Sequence, residues 1–152
     1  MTKQKKIMII FIIVGAIIAI ITVIGAVFLV TSVGNIKKAD FFELGADQVP
    51  TVKLVVGERK ITSVSSSIEN GITTKIYEYR SDSSVADIEQ YIKYLREDED
   101  FIVTSVNDNK NDVYYGKNSV AEGRIILVYI DANPFGYTIK LIKGRGELNK
   151  FN

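Results

Sequence analysis

The sequence predicts an α+β fold: an N-terminal transmembrane helix, then a small, mostly antiparallel β-sheet domain with one packed amphipathic helix. Three observations predict it. A charge-free apolar run, Ile7–Val30, opens the chain. Asn70-Gly71 sits between two β-prone stretches, and both central residues of a tight type I′ hairpin turn need positive φ. A single segment, SSVADIEQYIKYLRED, carries apolar residues at helical spacing, and short strand-like runs lie on both sides of it.

A helix over Ile7–Val30 would be about 36 Å long, against a hydrocarbon core of about 30 Å. Most of its residues are Ile, Val, Leu or Phe, each favouring the bilayer centre by ~0.3–0.6 kcal/mol. Residues 7–33 are therefore expected to form a transmembrane helix with the lipid bilayer as its partner. Ser32-Val33-Gly34 resembles a cleavage site, but a signal peptide has an apolar core of only about 7–15 residues. The length favours a retained signal anchor. A buried core helix is disfavoured because the run is apolar all round. Lys3, Lys5 and Lys6 precede it and Lys37 and Lys38 follow it. The positive-inside rule then leaves 1–6 as a short cytoplasmic N-terminus. The expected product is a single-pass protein of the cell membrane with an extracytoplasmic domain.

Composition narrows the chemistry. The chain has 152 residues and a formal charge of +1; after Ile36 there are 16 basic and 18 acidic residues. A nucleic-acid partner would call for a basic excess, so none is expected. With no cysteine and no histidine, thiolate sites, disulfides, Ser-His triads and most zinc chemistry are excluded.

Residues 34–49 read as a linker or the first turn of the domain, with Phe41 and Phe42 either at the membrane interface or in the core. The domain proper is expected over 50–144. TVKLVVG reads as a strand. KITSVSSSIENGITTKIYEYR reads as a hairpin whose turn pairs Ile68 with Thr73, Val64 with Tyr77 and Thr62 with Tyr79. In the helix, Val85, Ile88, Ile92 and Leu95 form an apolar stripe, and Ser84 with Asp87 resembles a capping box. FIVTSVN, DVYYGKNS, RIILVYID and YTIKLIK read as strands. RIILVYID, apolar on both faces, suits a covered central position. YTIKLIK puts Tyr137, Ile139 and Leu141 on one face. Residues 145–152 read as a flexible tail.

No residue set forms a recognisable catalytic, cofactor or metal site. The acidic run Glu97-Asp98-Glu99-Asp100 reads as a solvated helix end, since successive side chains diverge. Asn107, Asn109 and Asn111 alternate as in a calcium loop, but Asp112 and Asn118 stand where Gly and Glu are needed. Ser63, Ser65, Ser66 and Ser67 read as the exposed face of a strand. Gly144-Arg145-Gly146 is a weak anion cradle. Tyr114, Tyr115, Tyr129 and Tyr137 could build an aromatic surface, but tyrosine is common in sheets.

At VPTVKLVVGERKITSVSSSIENGITTKIYEYRS, followed by ADIEQYIKYL, the sequence resembles a group of small Gram-positive envelope proteins. These pair an N-terminal membrane segment with one α+β domain, and their function is uncharacterised. The shared pattern is Val-Pro before a strand, a Gly-Arg-Lys turn, the Asn-Gly hairpin and Tyr-x-Tyr before the helix. Here the turn reads Gly57-Glu58-Arg59-Lys60, a small departure. The resemblance spans about Phe42 to Gly146 and implies no active site or cofactor. The expected function is non-catalytic binding, with an envelope protein as a candidate partner. The alternatives are a pilin-like structural subunit and an enzyme or inhibitor with an unrecognised site. A pilin would need a processing Gly before the run and a Glu within it; here Lys6-Ile7 begins the run and no acid follows.

Overall fold

The computed structural model describes residues 39–104 and 113–148. The run Ile7–Val30, its flanking lysines and the Asn107–Asn111 turn lie outside these residues. The described part is a small α+β domain with an antiparallel six-stranded sheet. A separate hairpin, a short helix and a longer one pack with it.

The first hairpin pairs β1 (Phe41–Leu44) with β2 (Asp47–Pro50), so the segment expected as a linker is structured from Phe41 onward. Phe42, Leu44 and Val49 alternate inward and are fully buried. Phe42 stacks on Tyr77 with ring centroids 4.2 Å apart, which places it in the core. The linker expectation failed because these few apolar residues are separated by acids and a glycine; their burial comes from the sheet they land on.

TVKLVVG is not a strand. It forms α1 (Val52–Val56), capped by Thr51, whose hydroxyl accepts from the Leu54 amide at 3.4 Å, and closed by Gly57. Its β-branched residues suggested a strand. However, Val52, Val55 and Val56, the residues that enter the core, stand at helical spacing.

The long hairpin joins β3 (Lys60–Glu69) to β4 (Ile72–Arg80). Asn70 and Gly71 both take positive φ, 51° and 78°, as the turn requires. Ile68 pairs with Thr73 and Val64 with Tyr77, as expected. Thr62 does not face Tyr79. A bulge there pairs Ile61 with Tyr79 and Ser63 with Glu78. The reason is packing: Ile61 and Val64 both join the core, and at a separation of three a regular strand would point them to opposite faces.

Helix α2 spans Ser84–Glu97. Its inward face is Asp87, Ile88, Tyr91 and Leu95, so the helix is rotated from the expected stripe and Val85 is 66% exposed. Ser83 is the N-cap and makes no side-chain capping bond, so the expected capping box is absent. The rotation is possible because two polar inward groups find partners. Tyr91 donates to the Pro50 carbonyl at 2.7 Å, and Asp87 meets Arg59.

Strands β5 (Ile102–Thr104), β6 (Tyr114–Asn118), β7 (Arg124–Asn133) and β8 (Gly136–Arg145) complete the sheet. The order is β3-β4-β8-β7-β6-β5. The last strand therefore sits beside β4, and α2 carries the chain from β4 to the far edge while lying against β7 and β8. Strand β7 is central, with Ile126 and Val128 in the core and Leu127 buried on the other face. Tyr137, Ile139 and Leu141 are all buried on one face of β8, as their alternation required. The expected tail begins too early. Arg145 ends β8, and Leu148 exchanges bonds of 2.8 and 3.3 Å with the Asn118 side chain.

Gly136 is fixed by a close approach: a Cβ there would lie 1.8 Å from the Tyr79 carbonyl oxygen. Replacing Gly136 by Ala is therefore expected to cost about 3 kcal/mol or more in chemical denaturation. Gly123→Ala, at positive φ but with open space around it, should cost only about 1–2 kcal/mol. Equal costs would contradict the packing assigned to the β7–β8 turn.

Candidate functional site

The residues singled out from sequence do not converge. Glu97 lies 3.8 Å from Lys93, and Glu99 lies 3.5 Å from Lys117, so the acidic run is drawn toward different partners. Among the described residues, no three carboxylates come together in a way that could hold a metal ion. Ser65, Ser66 and Ser67 lie exposed on the edge strand β3, with Ser63 half-buried. Gly144 and Arg145 belong to β8, and the Gly146 amide donates to the Gly123 carbonyl at 3.0 Å. The tyrosines divide between the faces of the sheet. Tyr114 packs against Tyr129 across strands, whereas Tyr115 and Tyr137 turn to the core side.

Two buried ion centres stand out instead. In the first, Arg59 follows the Gly57 cap of α1, and Asp87 lies in the first turn of α2. The guanidinium donates through Nε and Nη2 to the two carboxylate oxygens, each at 2.6 Å. Ser81 donates to the same carboxylate at 2.6 Å, and the Tyr137 hydroxyl reaches it at 3.4 Å. Burial pushes the Asp87 carboxyl up, but the bonds from Arg59 and Ser81 outweigh it and hold it below the usual carboxylate range. The Arg59 guanidinium is raised, chiefly by its bond to Asp87. Burial pushes the Tyr137 hydroxyl up, and the Asp87 charge adds to that.

In the second centre, Lys143 of β8 meets Asp47 of β2 at 2.5 Å and donates to the Leu44 carbonyl at 3.0 Å. Ser119 and the Val120 amide donate to Asp47 at 2.7 and 2.8 Å. Burial pushes this carboxyl up as well, and the bonds from Lys143, Ser119 and Val120 hold it below its ordinary value.

The first centre borders a cavity of about 300 Å³. Arg59, Lys60, Ile61 and Tyr79 line it from the β3–β4 side. Thr51, Lys53 and Glu58 line it from α1 and the segment that follows. Asp87 and Ser81 lie within hydrogen-bond reach of each other, but a carboxylate held low by an arginine is a weak base for activating a hydroxyl. The arrangement sets hydrogen-bond donors and cations around a hollow that Ile61 also lines.

Sequence reasoning missed both centres. It assigned Asp87 to a cap and Arg59 to a turn. The available signal was that Asp87 shares a helical face with Tyr91 and Leu95. No protein-family profile, no curated protein and no solved structure matches the chain.

Both aspartates have depressed folded-state pKa values, so the unfolded chain binds more protons in acid. The stability they contribute is fully present above the unfolded value of about 4 and is lost as pH falls below it. Urea midpoints should therefore be level between pH 7 and 5 and drop by pH 3. The Asp87→Asn variant should show a shallower acid drop than the parent. Parallel acid profiles would contradict the assignment of Asp87 as a paired carboxylate.

Proposed function

We propose that the chain is a single-pass, membrane-anchored domain, displayed on the extracytoplasmic side of a bacterial envelope and acting by binding. The observation that carries this is the uninterrupted charge-free run Ile7–Val30, long enough at helical rise to cross a bilayer. That run lies outside the described residues, and among those no helix is long and apolar enough to cross a membrane. The lysines at positions 3, 5 and 6 support a cytoplasmic N-terminus. The lack of histidine and cysteine supports binding over catalysis, as does the cavity lined by donors beside a neutralised ion pair. The resemblance to small Gram-positive envelope proteins supports the same placement.

Anchoring is tested by carbonate extraction of membranes from cells producing the full chain. The parent is expected to stay in the pellet. Ile17→Lys combined with Ile20→Lys, at ~2.5–3.5 kcal/mol per charge near the bilayer centre, should move it to the supernatant. Release of the parent by carbonate would overturn the anchor. A reporter fused after Asn152 should be active outside the cytoplasm; cytoplasmic activity would overturn the orientation.

A further inference from the structure

We propose that the cavity beside Arg59 binds a small oxyanion of low charge, held by the Tyr79 hydroxyl, the outward N–H groups of Arg59 and the Lys60 ammonium. This deepens the binding reading above and rests on it.

The first support is Tyr79. The residue is only 6% exposed, and its hydroxyl has no hydrogen-bond partner among the described residues. Its buried neighbours differ: Tyr91 donates to Pro50, and Tyr137 reaches Asp87. Every fully enclosed side-chain N or O atom among the described residues has a partner. The Tyr79 hydroxyl is therefore reached from outside. The side chain lies on the face that carries Ile61 and Tyr137 and lines two hollows, the cavity shared with Thr51, Lys53 and Arg59 and a more open one shared with Phe135 and Tyr137; the first is the one bordered by both Arg59 and Lys60. A phenol with a buried ring that lines a hollow offers its hydroxyl as a donor to an acceptor bound there. Burial also raises its pKa well above the usual value, so it keeps its proton at any physiological pH.

The second support is charge. Arg59 commits three of its five N–H groups, two to Asp87 and one to the Glu58 carbonyl, leaving one on each terminal nitrogen. Lys60 has no ion pair among the described residues and is exposed at the rim. Lys53 is engaged by Asp40 at 3.1 Å. Glu58 is the acid of the lining and opposes a highly charged ligand. The ligand chemistry that fits is a carboxylate or a phosphodiester group, on a molecule small enough for about 300 Å³.

The test uses the full chain in phosphatidylcholine nanodiscs, titrated with sodium acetate and with dimethyl phosphate at constant ionic strength. The readout is the ¹⁵N shift of Arg59 Nε and of the Lys60 amide. A saturable shift is expected; acetate alone identifies a carboxylate ligand and dimethyl phosphate alone a phosphodiester. Tyr79→Phe should weaken binding about tenfold and Lys60→Gln about two- to fivefold. Tyr77→Phe, which removes a hydroxyl that does not line the cavity, should leave binding unchanged. A linear shift without saturation, or a Tyr79→Phe affinity equal to the parent's, overturns the proposal. If Tyr79→Phe fails to fold, Lys60→Gln decides, and unchanged affinity overturns it. Carbonate extraction reports on the anchor separately: a chain that pellets yet does not titrate loses the site and keeps the anchor.

Discussion

The pairing of Arg59 with Asp87 is the constraint on which the domain's arrangement depends. Asp87 stands in the first turn of α2 and is almost wholly buried. An ionised carboxylate in that position is tolerated only with a cation and further donors around it. Arg59 supplies a two-pronged contact, and Ser81 and Tyr137 supply the remainder. These partners come from three places, the exit of α1, the loop after β4 and the start of β8, and meet Asp87 at the start of α2. The pair therefore sets the rotation of α2 about its axis and, through Tyr137, ties it to β8.

A second charged clamp acts at the other end of β8. Tyr137 and Lys143 are separated by about 20 Å of extended strand. At the Lys143 end, Asp47 is held by an ammonium, a hydroxyl and an amide. The same ammonium takes the Leu44 carbonyl, and Lys75 takes the Glu43 carbonyl at 2.6 Å. Two lysines thus satisfy main-chain acceptors of β1, a hairpin whose outer groups the large sheet does not pair. Between the clamps the contact is aromatic and aliphatic, with Phe42 on Tyr77 and Tyr79 on Tyr137. Charge at the ends gives position, and the apolar middle supplies most of the favourable free energy.

The legible parts of the fold were those fixed by local chemistry or by strict period. Asn70-Gly71 specified its turn because few residues tolerate positive φ there. The alternation of Tyr137, Ile139 and Leu141, and the two-faced apolarity of β7, each specified burial. What escaped depends on partners distant in sequence. Asp87 looked like a solvated cap because nothing near it announces Arg59, 28 residues earlier. The β1–β2 hairpin looked like a linker because its burial depends on β8, nearly a hundred residues later. The bulge at Thr62 was encoded as a spacing of three between Ile61 and Val64, visible only once both are known to face one core. The candidate site was illegible for the same reason: its residues come from α1, β3 and β4, and no short motif joins them.

The cavity follows from these constraints, since it is bounded by the residues that the ion pair and the bulge hold in place. A double-mutant cycle on Arg59→Met and Asp87→Leu, read by chemical denaturation at pH 7, tests the dependence most directly. Arg59→Met leaves a buried carboxylate without its cation and is predicted to cost about 3–5 kcal/mol, and Asp87→Leu, which leaves a guanidinium that is 26% exposed, about 2–3 kcal/mol. The double variant is predicted to recover at least about 2 kcal/mol of the summed loss. Single costs that add to within about 0.5 kcal/mol would mean that the two residues do not depend on each other, and the pair could not be what organises the domain.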